Sequence, residues 1–260
     1  MWHPEAVAPF AIAGVLVAVY TLPESVTRPF VFQYGEPTLL TAYTANFVHF
    51  APSHLATNLA GFLLAGGTLV AVSIRADDRW FLIGTGVTFL TVVPVLLSVL
   101  NLAVPRAGIT YGFSGMNMVL VGFLPVAIVR YGETLRNRRV GTEVLLVSFF
   151  TSVAIIAAVS VPPSALSTAV MVAAAGLGAV FGVQLYFSEL GSGPFDASLR
   201  TVCPVIAAAV VWAALLSTGF PDPARNGEVI NIYVHFVGYA LGFISGYLSH
   251  ECLEFSRRFY

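Results

Sequence analysis

Apolar residues in this chain come in long blocks interrupted by short polar stretches. A helix needs about 20 predominantly apolar residues to cross the hydrocarbon core of a bilayer. Eight blocks of that order occur, at roughly 6–22, 54–74, 80–104, 112–130, 143–161, 165–187, 200–217 and 230–252. They are too long and too closely spaced for the alternating strands of a membrane barrel, which leaves helices as the spanning element. Residues 23–53 form a long connection with Pro, Glu, Arg and aromatic residues, suited to the membrane interface. Only Pro162, Pro163 and Ser164 separate the fifth block from the sixth. The pattern predicts an all-α, polytopic transmembrane helical bundle of about eight spans, forming a single integral membrane domain over residues 1–260.

Composition agrees with lipid as the solvent. Of 260 residues 57% are hydrophobic and 10% charged, with a mean hydropathy of +0.85, against about 25% charged in a soluble domain. A net charge of −1 gives no reason to expect a nucleic-acid partner. Cys203 and Cys252 fall in apolar stretches without a CxxC, and read as small buried hydrophobes and not as a disulfide or metal site. No cofactor is implied. The N-terminal apolar run lacks a basic segment before it and is expected to be a retained first span.

The arginines set the expected orientation. With the N-terminus in the cytoplasm, that side receives Arg75, Arg79, Arg130, Arg136, Arg138, Arg139, Arg200, Arg257 and Arg258, and the other side receives Arg28, Arg106 and Arg225. Nine against three is the bias expected of cytoplasmic loops, so both termini are placed inside.

Polar groups in a bilayer are costly and each is a functional candidate. Three clusters stand out. Ser114 lies between Gly112 and Gly115 at the opening of the fourth block, where a substrate strand could approach its hydroxyl. A GxSG match alone is weak, roughly a one-in-ten event by chance in so glycine-rich a chain, and a serine at a helix end often back-bonds to a carbonyl. His235 opens the eighth block, followed by Gly238, Gly242 and Gly246. Small residues at this spacing suit close helix packing; the histidine reads either as satisfied by a backbone carbonyl or as a general base for Ser114. His54 and Asn58, four apart, share one face of the second block. Both can donate to a developing oxyanion, a contribution of about 3–4 kcal/mol per donor, or serve as interhelical glue. For His49 the glue or anchor reading is preferred.

The three clusters agree in depth. His54, Ser114 and His235 open blocks two, four and eight, each running from outside to inside by the arginine distribution. Other intramembrane chemistries lack residues: there is no HExxH, no GxxxxGK[ST], and the aspartates Asp77, Asp78, Asp196 and Asp222 lie in or beside loops. A transporter would place its polar groups near the midplane between repeats.

At these residues the chain resembles the rhomboid proteases. That family pairs a GxSG serine with a histidine followed by glycines as HxxGxxxG, and carries an HxxxN pair on its second helix. Gly112 to Gly115, His235 with Gly238 and Gly242, and His54 with Asn58 match in order, over residues from about 49 to the C-terminus. His49 matches a histidine common in the family. The resemblance implies a Ser114–His235 dyad, an oxyanion hole of His54, Asn58 and the Ser114 amide, and transmembrane protein substrates cut near their outer ends. It implies rhomboid-like core helices over about 6–130 and 230–252, with extra spans within about 143–217, and a lid over 218–228. Where many members carry an aromatic residue four positions after the serine, this chain has Met118. The rival within the resemblance is a catalytically inactive relative that binds membrane clients without cutting them.

Overall fold

The computed structural model describes residues 4–136, 142–189, 199–220 and 231–259. Its helices are α1 (Ala8–Tyr20), α2 (Glu24–Thr27), α3 (Leu39–Thr44), α4 (Pro52–Arg75), α5 (Arg79–Thr91), α6 (Val93–Asn101), α7 (Ser114–Arg136), α8 (Glu143–Ser160), α9 (Ala165–Glu189), α10 (Leu199–Gly219) and α11 (Ile232–Phe259). Strands β1 (Phe32–Gln33) and β2 (Ile109–Thr110) form one short antiparallel pair. Among the described residues six helices are long and apolar enough to cross a membrane singly, and two bent pairs raise the number to eight if each is one span. The chain is an all-α, polytopic membrane bundle.

Two of the eight expected spans, the first and the third, are bent helix pairs. The first crossing turns by 109° after Tyr20, and the chain continues through α2 away from the α1 direction. Pro23 stands at that turn with an extended ψ of 144°, where no helix can continue through it. The third crossing bends by 47° between α5 and α6. Pro94 has no N–H to give to Leu90, and the Leu90 carbonyl accepts the Tyr43 hydroxyl at 2.9 Å instead. Residues 23–53 are also more than a surface connection. Val31, Phe32, Ala42, Ala45 and Val48 are buried, and Asn46 Nδ2 donates to Ala42 and Pro94 carbonyls at 3.0 and 3.1 Å.

The serine-bearing helix α7 lies at the centre, against α11, α4 and α10. Its seam with α11 is made of glycine. A Cβ at Gly242 would run into the Val119 carbonyl, and one at Gly122 into the backbone of Tyr239 and Phe243. No larger residue allows this approach, which is the close packing expected from the small-residue spacing. Helices α8 and α9 form a hairpin. It docks on α11 through Phe149, whose ring stacks on Tyr239 at 6.1 Å and meets Phe243 at 4.7 Å. Ser164 and Ser167 cap α9 reciprocally, at 3.0 and 2.8 Å, which explains the tight turn after Pro163.

Cys203 and Cys252 are exposed, contrary to the buried positions expected of them, and neither forms a disulfide. In a bilayer the outside of a helix is already apolar, so hydropathy does not separate a core-facing from a lipid-facing cysteine. Of the expected lid, Thr218 and Gly219 form the end of α10, Phe220 follows in a bend, and 221–228 lie outside the described residues.

Candidate active site

The chain reaches Ser114 along a well-held path. β2 pairs with β1, with Thr110 opposite Phe32. The Gly112 N–H then donates to the Ala45 carbonyl at 3.0 Å. Gly112 has φ +107°, a left-handed conformation open to glycine. It is also crowded: a Cβ there would lie 2.5 Å from His54 Cε1. Phe113 is fully buried, with ring centroids of Phe47, Phe62 and Phe89 at 5.6, 5.3 and 5.8 Å. With Phe113 anchored, Ser114 becomes the first residue of α7, half-buried, in the turn whose amides have no carbonyl partner within the helix. The Ser114 hydroxyl makes no hydrogen bond to a described residue.

His54 and Asn58 flank this turn from α4. The space beside Gly112 is bounded by His54 Nε2 at 2.9 Å and Asn58 Nδ2 at 3.7 Å from a hypothetical Cβ. Asn58 is buried and Nδ2 donates to His49 Nε2 at 2.9 Å, using one of its two protons. The Phe113 N–H donates to the same His49 nitrogen at 3.3 Å. His49 Nε2 is therefore an acceptor, and its imidazole is neutral. Burial, with His54 acting in the same direction, holds His49 down to about 4. Expected to be simple glue, His49 ties the donor helix to the serine loop. Asn117 Nδ2 adds a second tie, donating to the Asn58 carbonyl at 2.9 Å.

His235 is buried in the first turn of α11. Asn231 starts that helix, its Oδ1 accepting the Val234 N–H at 3.2 Å, and its amide reaches Asn101 Oδ1 on α6 at 3.1 Å. His235 Nδ1 lies 2.6 Å from the Gly219 carbonyl. A carbonyl only accepts, so Nδ1 carries a proton, and in the neutral ring Nε2 is then the acceptor. The backbone-satisfied reading of this histidine is thus realised, in a form that leaves the other nitrogen basic. Val234 packs on Gly115, its Cγ1 2.6 Å from a hypothetical Cβ, and Gly238 lies against the Gly115 carbonyl. Ser114 and His235 therefore occupy the first turns of two touching helices, although no hydrogen bond joins them.

Charged groups gather at the other end of the same helices. Arg130 pairs with Asp78, which also accepts the Phe81 N–H at the start of α5, and its guanidinium lies 5.0 Å from the Phe81 ring centroid. His250 pairs with Glu133 at 3.2 Å. The arrangement places the histidine and asparagine cluster at one end of these helices and the Arg130–Asp78 pair at the other. Among the described residues no group of three His, Cys, Asp or Glu is placed to hold a metal ion. No family model, curated protein or solved structure matches this chain.

Proposed function

We propose that this protein is an intramembrane serine endopeptidase of the rhomboid kind, cleaving transmembrane segments of other membrane proteins with a Ser114–His235 dyad. The observation that carries this reading is the Nδ1–H of His235 donated to the Gly219 carbonyl, on a helix turn in contact with that of Ser114. In the neutral ring it selects the tautomer whose free Nε2 is basic, on the residue that a serine hydrolase needs as its base.

In this mechanism Ser114 Oγ attacks the scissile carbonyl while His235 Nε2 takes its proton. The oxyanion accepts hydrogen bonds from the Ser114 amide, His54 and the second Nδ2 proton of Asn58. The C–N bond then breaks, and the imidazolium returns its proton to the leaving amine. Water, deprotonated by the same nitrogen, attacks the acyl-enzyme and releases the acid with Ser114 restored. The absent carboxylate partner is replaced by the Gly219 carbonyl, which orients the ring without a second charge inside the membrane. Both termini lie in the cytoplasm and the site opens to the outer side of the cell membrane.

One observation favours a second reading, a client-binding protein that does not cleave: the Ser114 hydroxyl is not hydrogen-bonded to His235. Apo sites often tighten only with substrate, so reactivity decides. Purified protein in detergent is treated with a fluorophosphonate probe beside Ser114→Ala and His235→Ala. Labelling lost in Ser114→Ala and sharply reduced in His235→Ala supports the protease. A well-folded wild type that does not label, beside an active serine hydrolase that does, supports the client binder.

A further inference from the structure

The Gly219 carbonyl is useful to His235 only if the end of α10 is held still. Three contacts hold it. Ser160, the last residue of α8, donates its hydroxyl to the Phe220 carbonyl at 2.7 Å in a buried position. The Phe220 side chain is buried, edge-on to His235 at 6.2 Å and to Tyr239 at 6.4 Å between centroids. Met118, one turn into the serine helix, fills the notch at Gly219, with Sδ and Cε 2.5 and 2.6 Å from a hypothetical Cβ. One carbonyl oxygen thus orients the ring and the next carbonyl is fixed by α8. We propose that Gly219–Phe220 is the positioning element for His235, and that Ser160 and Met118 hold it in register. The α8–α9 hairpin is then a brace for the histidine. The inference rests on the dyad reading above.

The chemistry is specific. With the Gly219 oxygen displaced, neutral His235 is free to adopt the other tautomer, with Nε2 protonated and unable to act as base. The buried Nδ1–H would also lose its acceptor as the ring becomes charged. The defect therefore falls on the maximal rate and spares probe affinity.

The test measures fluorophosphonate inactivation of wild type, Ser160→Ala, Ser160→Thr and Gly219→Ala, resolved into probe binding and maximal rate. The folded fraction is checked by thermal unfolding. In parallel, ¹⁵N-histidine spectra follow the Nδ1 proton of His235, assigned by its loss in His235→Ala. Expected are a maximal rate about tenfold lower in Ser160→Ala with probe affinity unchanged, and recovery in Ser160→Thr. A larger loss is expected in Gly219→Ala, with the Nδ1 signal displaced in both impaired variants. Wild-type rate and an unmoved His235 signal in folded Ser160→Ala and Gly219→Ala would overturn the proposal while leaving the protease reading intact. If wild type does not label at all, the protease reading fails on its own, and the spectra still decide whether Ser160 and Gly219 position the ring.

Discussion

Asn58 donates to His49 across 2.9 Å, and the same imidazole nitrogen receives the Phe113 N–H at 3.3 Å. One acceptor thereby sets the distance between a proposed oxyanion donor and the loop that leads to the proposed nucleophile. Because it must accept from both, His49 works only as a neutral ring.

Removing that acceptor should damage the site more than the fold. His49→Ala leaves a buried amide and a buried N–H without partners, about 1–3 kcal/mol for each. Fluorophosphonate labelling is expected to fall by at least tenfold, with a lower melting midpoint. His49→Gln, which keeps an oxygen acceptor, should recover part of both. Equal labelling in wild type and folded His49→Ala would remove His49 from the site.

The same residue imposes a pH dependence. His49 is held at about 4 in the fold, below an ordinary histidine near 6.5. The unfolded chain binds the proton first, so the contribution of His49 is full above about pH 6.5 and is lost as pH falls through about 4. The melting midpoint should drop across this window in wild type and drop less in His49→Gln. Parallel curves would show that other groups carry the acid sensitivity.

The glycine seam makes a stability prediction. Gly242→Ala places a methyl against the Val119 backbone carbonyl, which cannot rotate away as a side chain can. Overpacking of this kind destabilises by about 1–3 kcal/mol, and here it also separates α7 from α11. Thermal unfolding should show a lower midpoint, and labelling of the folded fraction should fall. Ala at Gly14, with nothing within 4 Å, is the control expected to leave both unchanged.

At the far end, Asp78→Asn strands Arg130, whose side chain is only 6% exposed. Removing one partner of a buried pair destabilises by about 3–5 kcal/mol. Arg130 lies 16 residues along α7 from Ser114, about 24 Å. Unfolding in denaturant should therefore begin at lower concentration, while labelling per folded molecule stays near wild type. A proportional loss of labelling would mean the two ends are coupled.

Much of this architecture was legible because lipid demands long apolar helices, and hydropathy measures that demand. It carries no sign of the bends, because Pro23 stands just past the first block and Pro94 leaves the third block as apolar as before. Ser114, His235, His54 and Asn58 were visible as costly polar groups, and the fold does bring them to one end of the bundle. The carbonyl of Gly219 was not visible, since every residue has a carbonyl and only the fold chooses one. His49 was visible but undervalued: its partners are nine and 64 residues away in sequence, beyond the reach of any helical spacing. The exposed cysteines were misplaced because an apolar helix in lipid has two apolar sides.

Burial is unevenly shared among the crossings: 72% of the Ser114–Leu135 span is enclosed, against 17% of Val202–Gly219. Ser114 and the carbonyl that accepts from His235 therefore sit on helices of unequal enclosure, the one ringed by protein and the other with much of its surface turned outward from the bundle. Local opening begins where few contacts are made, so heat should loosen α10 while α7 remains in place. A warmed sample would lose reactivity at a temperature where it still looks folded, and would regain it on cooling.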